Sequence, residues 1–232
     1  MPRSNIEILA YEETPLGILC LRRRELLSQP GTVVTEITLN HEFLMSSLYT
    51  ESEQILSRTS LEMHRGTDLS VLVGGLGLGY TVREAIQSKR VEHVESVELL
   101  PQVIDWMEQG LVPLSSELCS ERRLSITQGD VFHRLSGAPT ERYDIILIDI
   151  DHSPNERLDE SSSSFYTKTG LIAAQQHLAS KGVLGVWSYD ENPTFAESLR
   201  EVFEYVRVER VSFHNHLVDE RITDWLFFGV NA

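Results

Sequence analysis

The segment VLVGGLGLGYTVRE, residues 71–84, decides the fold class of this chain. An apolar run leads into four glycines within six positions, and a segment of helical character follows them. A strand, a glycine-rich turn and a helix N-terminus together form a site for a ligand that must approach the backbone closely. The segment therefore predicts a βα unit with room for a nucleotide, and the alternative is a glycine turn that only makes a tight corner.

Short apolar runs alternate with helical stretches from residue 69 onward. The expected strands are 69–75, 91–99, 123–130, 143–151 and 182–189, and the expected helices are 80–88, 101–111, 170–180 and 194–206. Such alternation is typical of parallel strands joined by crossover helices. Two further strands, 207–216 and 221–230, are separated by only a short loop. The sequence therefore predicts an α/β fold with a mostly parallel sheet and an antiparallel C-terminal edge hairpin.

The first 45 residues have a different character. Residues 16–26 and 32–40 are rich in β-branched and apolar residues, and the turn signal SQPG lies between them. They predict a small N-terminal β-hairpin region at residues 1–45, followed by a nucleotide-binding α/β domain at residues 46–232. Apolar residues at near-helical spacing predict a helix that leads into this domain.

Composition and charge argue against several classes of partner. The 232 residues include 35 acidic and 20 basic ones, and apart from Arg22–Arg24 the basic residues do not cluster, so no nucleic acid partner is expected. The longest apolar runs fall far short of the roughly 20 residues that span a bilayer, which predicts no membrane segment and a cytoplasmic location. Cys20 and Cys119 lie far apart, and His214 and His216 have no further ligand nearby in the sequence, so no metal site is predicted.

Polar residues at successive strand ends indicate which nucleotide the glycine loop binds. Gly75, Gly77 and Gly79 have GxGxG spacing, and Tyr80 stands where the dinucleotide fingerprint requires a small residue. Glu98 ends the next strand, where a carboxylate can accept hydrogen bonds from both ribose hydroxyls. Asp130 follows the third strand, where it can accept a hydrogen bond from an adenine amino group. These positions predict an adenosyl nucleotide rather than NAD, bound at the carboxyl ends of the strands.

At these motifs the sequence resembles the spermidine synthase family of polyamine aminopropyltransferases, within the Rossmann-like S-adenosylmethionine-dependent methyltransferase class. The family pattern VLVIGGGDGGTLRE lies without gaps over residues 71–84, its ribose acid falls on Glu98, and its adenine contact falls on Gly129 and Asp130. Its catalytic loop DSSDP falls on DIDHSP, which begins at Asp149. The resemblance covers residues 70–190 and, more faintly, the N-terminal hairpin. It implies a Rossmann-like methyltransferase fold.

The resemblance also implies an enzyme that moves an aminopropyl or related alkyl group from S-adenosylmethionine, or its decarboxylated form, to a small cationic amine. Asp149 matches the catalytic acid of the family, and it or a water that it holds is the candidate base for the proton of the amine. Asp151, His152 and Tyr166 are candidates for orienting the amine. The alternatives are a turn acid before Pro154 for Asp149, an ordinary loop residue for His152 and helix-start packing for Tyr166. A sulfonium is already activated, so the reaction requires no metal.

Two of the differences from the family pattern bear on the substrate. Leu78 stands where the family has an aspartate that helps to hold the ammonium group of the aminopropyl chain. His152 stands at the second acid of the catalytic loop, unless the loop shifts by one residue and Asp151 takes that place. An unpaired buried ammonium is costly, so either nucleotide stays open as the donor. A small-molecule methyltransferase and a pseudoenzyme that binds an adenosyl nucleotide are the alternative functions. The resemblance further implies a homodimer or homotetramer.

Overall fold

The N-terminal strands form a small antiparallel sheet in a computed structural model that describes residues 5–150, 164–215 and 219–232. Its strands lie in chain order and are β1 (Ile6–Thr14), β2 (Gly17–Glu25), β3 (Val33–Leu39) and β4 (Glu42–Ser46). β2 and β3 are the predicted hairpin, and β1 and β4 extend it on either side. Leu19, Leu21 and Ile37 of the two central strands are fully buried and belong to the same hydrophobic core as the α/β part. The small sheet is therefore packed onto the α/β part.

The α/β part contains a sheet of seven strands. These are β5 (Leu69–Gly74), β6 (Val91–Glu98), β7 (Leu124–Gln128), β8 (Tyr143–Ile148), β9 (Leu178–Ser188), β10 (Tyr205–Asn215) and β11 (Glu220–Val230), in the spatial order β10-β11-β9-β8-β5-β6-β7. β5 to β9 are mutually parallel. β10 and β11 form an antiparallel hairpin that pairs with β9 at one edge. The predicted α/β fold with an antiparallel C-terminal edge hairpin is confirmed.

Helices cover both faces of this sheet. Those with both ends among the described residues are α1 (Glu51–Met63), α2 (Tyr80–Gln87), α3 (Pro101–Glu108), α4 (Ser115–Cys119), α5 (Val131–Ser136), α6 (Lys168–Gln175) and α7 (Pro193–Val202). Side chains of β5 alternate between two cores, since Val71 and Val73 pack with residues of α1 to α4, and Leu72 packs with residues of α5 to α7. A strand that is buried on both faces reads as a continuous apolar run, which is the pattern that predicted β5 and β8.

The strand order reverses between β5 and β8. From β5 the chain continues to β6 and β7 on one side, and it then crosses to β8 and β9 on the other. In open α/β sheets, ligands bind outside the carboxyl ends of the strands at such a switch point. β5 ends at Gly74 and β8 ends at Ile148, so the glycine loop and Asp149 meet there.

Candidate functional site

The glycine loop touches the end of β8 directly. Gly75 has a backbone φ of +96°, and a Cβ atom at this position would lie 2.2 Å from the carbonyl oxygen of Asp149. The backbone N–H of Asp149 donates a hydrogen bond of 2.9 Å to the carbonyl oxygen of Gly74. Only glycine adopts this conformation readily and also leaves room for the neighbouring carbonyl. The glycine loop and Asp149 are therefore held together at the switch point.

Glu98, at the end of β6, has its carboxylate fixed by two backbone groups. Its Oε2 accepts a hydrogen bond from the N–H of Leu76, and its Oε1 accepts one from the N–H of Leu100, each at 2.9 Å. Burial raises the pKa of Glu98, and the backbone N–H groups act in the opposite direction. A carboxylate has about four lone-pair sites, so Glu98 can accept further hydrogen bonds, such as those predicted from a ribose.

Asp130 caps helix α5. Its Oδ1 accepts hydrogen bonds from the backbone N–H groups of Phe132, at 2.8 Å, and His133, at 3.2 Å. An acidic N-cap satisfies backbone donors that have no partner within the helix. The cap fixes Asp130 at the carboxyl end of β7, which is the position predicted for the contact with adenine.

A cleft lies over these strand ends. The polar and glycine residues that line it are Gly75, Gly77, Glu98, Gly129, Asp130 and Asp149. The small sheet supplies much of its apolar wall, through Leu16, Leu19, Ile37, Leu39, Leu44 and Met45. The structure thus brings most of the predicted nucleotide-binding residues into one cleft. Gly79 precedes α2 and lines a neighbouring cavity instead.

Two cavities continue from the cleft. The inner cavity is lined by Glu53, Leu76, Gly77, Leu78, Gly79, Tyr80, Asp149, Trp187 and the small-sheet residues 44–46. The outer cavity is lined by residues that include Tyr49, Ser52, Glu53, Trp187, Tyr189, Phe213 and Asp224. Asp149 belongs to both the cleft and the inner cavity, and Glu53 belongs to both cavities. Asp149 and Glu53 therefore each lie where two of the three spaces meet, and the cleft and the outer cavity also share Leu16, Leu39, Leu44 and Met45.

Asp149 is held by a hydroxyl group. The buried Thr81 donates a hydrogen bond from its Oγ1 to Oδ2 of Asp149. Burial raises the pKa of Asp149 to about 6, the hydrogen bond from Thr81 acts against this, and the charge of Asp224 adds to it. Thr81 lies in α2, so the helix that follows the glycine loop also orients the carboxyl group at the end of β8.

Glu53 and Asp224 are further acids of the site, and sequence analysis did not identify either of them. Glu53 lies in the first turn of α1, and its Oε2 accepts a hydrogen bond of 3.0 Å from Ser52. Burial, followed by the charge of Asp149, raises the pKa of Glu53. Asp224 on β11 is 6% exposed, and burial also raises its pKa. Three carboxyl groups from α1, β8 and β11 therefore converge, and each would be stabilised by a cation in the cavity.

Aromatic rings line the outer cavity beside these acids. Tyr49 and Phe213 stack with ring centroids 4.8 Å apart, and the rings of Trp187 and Tyr189 lie 6.5 Å apart. Aromatic faces attract cations, and they do so more strongly where water is excluded. Rings and carboxyl groups together suit a small organic cation.

Tyr166 is the other predicted catalytic residue that the structure describes. Tyr166 is buried among Phe132, Phe165 and Phe195, and it is absent from the described lining of the cleft and both cavities. These are contacts of the kind expected for packing at a helix start, and the role of Tyr166 in orienting the amine stays a prediction. Asp151 and His152 lie outside the described residues.

Of His214 and His216, the structure describes His214, which lies on β10. His214 contacts Asp219 through its Nε2 at 3.0 Å, and His216 lies outside the described residues. In the part of the chain that the structure describes, no group of three or more potential ligands has the geometry of a metal site. No helix in the same part is long and apolar enough to cross a membrane.

Several curated proteins are similar to this chain in sequence. The polyamine aminopropyltransferase of Oceanobacillus iheyensis is 29% identical over 139 residues, which are 59% of this chain and 25% of that protein. The enzyme of the same name from Methanocaldococcus jannaschii is 36% identical over 98 residues, 41% of this chain and 32% of that protein. The one from Sulfolobus acidocaldarius is 28% identical over 142 residues, 59% and 46% of the two chains. This chain thus spans less than half the length of these relatives. No family model matches it.

Solved structures of spermidine synthases have the same fold. The enzyme from Thermotoga maritima matches with a TM-score of 0.74 and 16% identity, over 97% of this chain and 73% of the other. A spermidine synthase in complex with the transition-state analogue AdoDATO matches with a TM-score of 0.76 and 18% identity, over 97% and 74% of the two chains. The predicted resemblance to the spermidine synthase family is confirmed.

The glycine loop of this spermidine synthase-like chain departs from the family pattern at Leu78. The residue is 3% exposed and belongs to the hydrophobic core. It also lines the inner cavity, and the residues of the glycine loop that line this cavity include no charged one. Any cation that enters the inner cavity therefore has to be paired by residues from other elements.

Glu98→Gln is expected to reduce the free energy of unfolding by roughly 1–3 kcal/mol, because an amide NH₂ group would face one of two buried backbone N–H donors. Urea denaturation measures the change. Glu92→Gln, at an exposed position of the same strand, is the matched control. Equal stability of the two variants would contradict a role of the Glu98 carboxylate in fixing the ends of β5 and β6.

The carboxyl cluster predicts that stability falls as pH rises. The pKa of Glu53 is raised from an ordinary value of 4.5 to about 8, so the folded chain keeps a proton that the unfolded chain loses between these values. The folded state then binds more protons, and each rise in pH in this window favours unfolding. Through Glu53 the free energy of unfolding of the wild-type chain should fall by roughly 3–4 kcal/mol between pH 5 and pH 8, and Glu53→Gln should remove this fall.

Thermal or urea unfolding at several pH values tests this expectation. Glu51→Gln is the matched control, because Glu51 lies in the same first turn of α1 and is exposed. This variant should keep the pH dependence of the wild-type chain. Parallel curves for Glu53→Gln and the wild type would show that Glu53 ionises normally.

Proposed function

We propose that this chain is a spermidine synthase-like transferase, which moves an aminopropyl group from decarboxylated S-adenosylmethionine to a small cationic amine. One observation carries the proposal. Asp149 belongs to both the cleft of the glycine loop and the inner cavity, and Glu53 and Asp224 follow it toward the outer cavity. Such an arrangement suits a reaction between a nucleotide and a cation that meet at Asp149. The sequence similarity to polyamine aminopropyltransferases supports the same activity.

The cleft suits the adenosyl part of the donor. Glu98 and Asp130 present carboxylates in fixed orientations at the ends of two neighbouring strands, and the glycine loop leaves room for close approach. Leucine side chains and Met45 of the small sheet offer an apolar surface for the adenine ring. We infer that Glu98 binds the ribose hydroxyls and that Asp130 contacts the adenine amino group.

The inner cavity suits the transfer step. A primary amine with a pKa like that of lysine is neutral in only about one molecule in 2,500 at pH 7, so the acceptor must lose a proton before it can attack. The nitrogen lone pair then forms a bond to the carbon beside the sulfonium, and the C–S bond breaks with its electron pair left on sulfur. Asp149 takes the proton of the amine, directly or through a water, and passes it to solvent. The products are the alkylated amine and a neutral thioether nucleoside.

A second function is favoured by Leu78. S-adenosylmethionine carries the same adenosyl and sulfonium groups, and an apolar residue in the glycine loop removes one partner for the ammonium of an aminopropyl arm. Methyl transfer to a small amine would use the same cleft and the same base. The carboxyl groups of Glu53, Asp149 and Asp224 argue against it, since they would repel the carboxylate of the methionine moiety.

Titration calorimetry with each nucleotide, followed by a transfer assay with putrescine, tests the proposal. We expect the decarboxylated donor to bind more tightly and to yield spermidine, detected by mass spectrometry. Tight binding of S-adenosylmethionine with transfer of a methyl group would establish the second function instead. Binding without transfer of either group would indicate a pseudoenzyme, and binding of neither nucleotide would overturn the assignment of the cleft.

A further inference from the structure

The lining of the inner cavity limits which residue can pair with the ammonium group of the donor. Leu76 to Tyr80 and residues 44–46 supply backbone, apolar and hydroxyl groups to its wall. Among the described residues that line it, Glu53 and Asp149 are the acidic ones and none is basic. Asp149 also lines the cleft and, under the proposed function, has to take the proton of the acceptor. Glu53 is therefore the carboxyl group left for a second cation.

We propose that Glu53 binds the ammonium group of the donor's aminopropyl arm and thereby selects a donor that lacks a carboxylate. This assignment rests on the proposed function and names the residue by which the same site recognises its donor. Glu53 reaches the inner cavity from α1 and not from the glycine loop, so it acts in place of an acid in the loop. It is thus a specificity-determining residue of the transfer reaction.

The surroundings of Glu53 support this role. The groups that face it are Ser52, Tyr80, Asp149 and Asp224, from α1, α2, the end of β8 and β11. No cation lies among them, so the carboxyl group is unpaired by charge within the part of the chain that the structure describes. An ammonium that enters the inner cavity would relieve the repulsion between Glu53 and Asp149. A carboxylate on the same arm would add to that repulsion.

The position of Glu53 also suits the far end of the donor's aminopropyl arm. Asp149 lines both the cleft and the inner cavity, and Glu53 lines both the inner and the outer cavity, so an arm that runs from a nucleotide in the cleft along the inner cavity meets Asp149 before Glu53. The carbon that reacts would then lie near Asp149 and the ammonium beyond it. Glu53 thus holds the far end of the arm while its near end stays at the transfer point.

Binding measurements on Glu53→Gln test the assignment. Three nucleotides serve as probes: decarboxylated S-adenosylmethionine, S-adenosylmethionine and a dimethylsulfonium adenosine that keeps the positive sulfur but lacks the ammonium. We expect the variant to bind the decarboxylated nucleotide about 10- to 100-fold more weakly, and the dimethylsulfonium analogue within about twofold of wild type. The ratio of its affinity for the decarboxylated nucleotide to its affinity for S-adenosylmethionine should be smaller than in the wild-type chain. Glu51→Gln, in the same turn, should leave all three affinities unchanged.

Each other result overturns the assignment in a recognisable way. An equal loss of affinity for the decarboxylated nucleotide and the dimethylsulfonium analogue would show that Glu53 maintains the structure of the cleft and does not bind the ammonium group. Unchanged donor affinity with a raised KM for putrescine would place Glu53 at the acceptor. If the wild-type chain binds the decarboxylated nucleotide and transfers its aminopropyl group, the proposed function stands in both cases. A wild-type chain that does not bind this nucleotide would overturn both the function and the assignment.

Discussion

Asp149→Asn is expected to lower the rate of aminopropyl transfer by about 100- to 10,000-fold, because an amide cannot accept the proton of the attacking amine. Asparagine keeps an oxygen that accepts the hydrogen bond from Thr81, so the side chain should stay in place. The cleft keeps Glu98 and Asp130, so nucleotide affinity should change little. Single-turnover kinetics with saturating donor, combined with calorimetry, separates the two quantities.

The pH profile offers a second test of Asp149. Its pKa is raised to about 6, so the wild-type rate should fall as pH drops through this value and the carboxylate becomes protonated. Asp105→Asn, at an exposed position of α3, is the matched control and should keep both the rate and the profile. Full activity of Asp149→Asn would show that Asp149 takes no part in the reaction. The alternative interpretation, a turn acid before Pro154, would then hold.

Gly75→Ala is expected to lower the free energy of unfolding by more than about 3 kcal/mol. Two costs add up at this position. The backbone φ of +96° is strained for alanine, and the new Cβ would lie 2.2 Å from the carbonyl oxygen of Asp149, which cannot rotate away as a flexible side chain would. The end of β8 would have to move, so the molecules that remain folded should also lose transfer activity.

Gly110→Ala separates these two costs. Gly110 has a φ of +78°, but a Cβ atom there would meet nothing within 4 Å. It should therefore show the conformational cost alone, about 1–2 kcal/mol. Urea denaturation compares both variants with the wild-type chain. Equal losses would mean that the contact between the glycine loop and Asp149 contributes nothing to stability.

The seven-stranded sheet could be predicted because its signals are local. Continuous apolar runs mark β5 and β8, and Pro101 marks the start of α3. The edge strand β1 was missed because much of its surface is exposed, including Ile6 and Ile8, so it lacks a clear alternation of buried and polar residues. The helices α4 and α5 were missed because five or six residues give no measurable periodicity.

The candidate site was predicted where its residues follow strand ends. Gly75, Glu98, Asp130 and Asp149 do so, and the order of parallel strands brings them together. Glu53 follows no strand, and an acid in the first turn of a helix is favourable for the helix dipole alone, so its position gave no functional signal. Asp224 lies 171 residues further along the chain, and the meeting of these two acids depends on packing of α1 against β11 that no local pattern reveals.

The contact of Met45 with the glycine loop affects how the site can change. A Cβ atom at Gly77 would lie 2.7 Å from the sulfur of Met45, so a side chain from outside the α/β part rests on the glycine loop. The strands that fix Asp149 and the wall that faces it belong to separate hydrogen-bonded sheets. Substitutions in the wall can therefore reshape the space for a substrate while the reacting carboxyl group keeps its place. In evolutionary terms, the small sheet is the part of the site on which selectivity can diverge without loss of the chemistry.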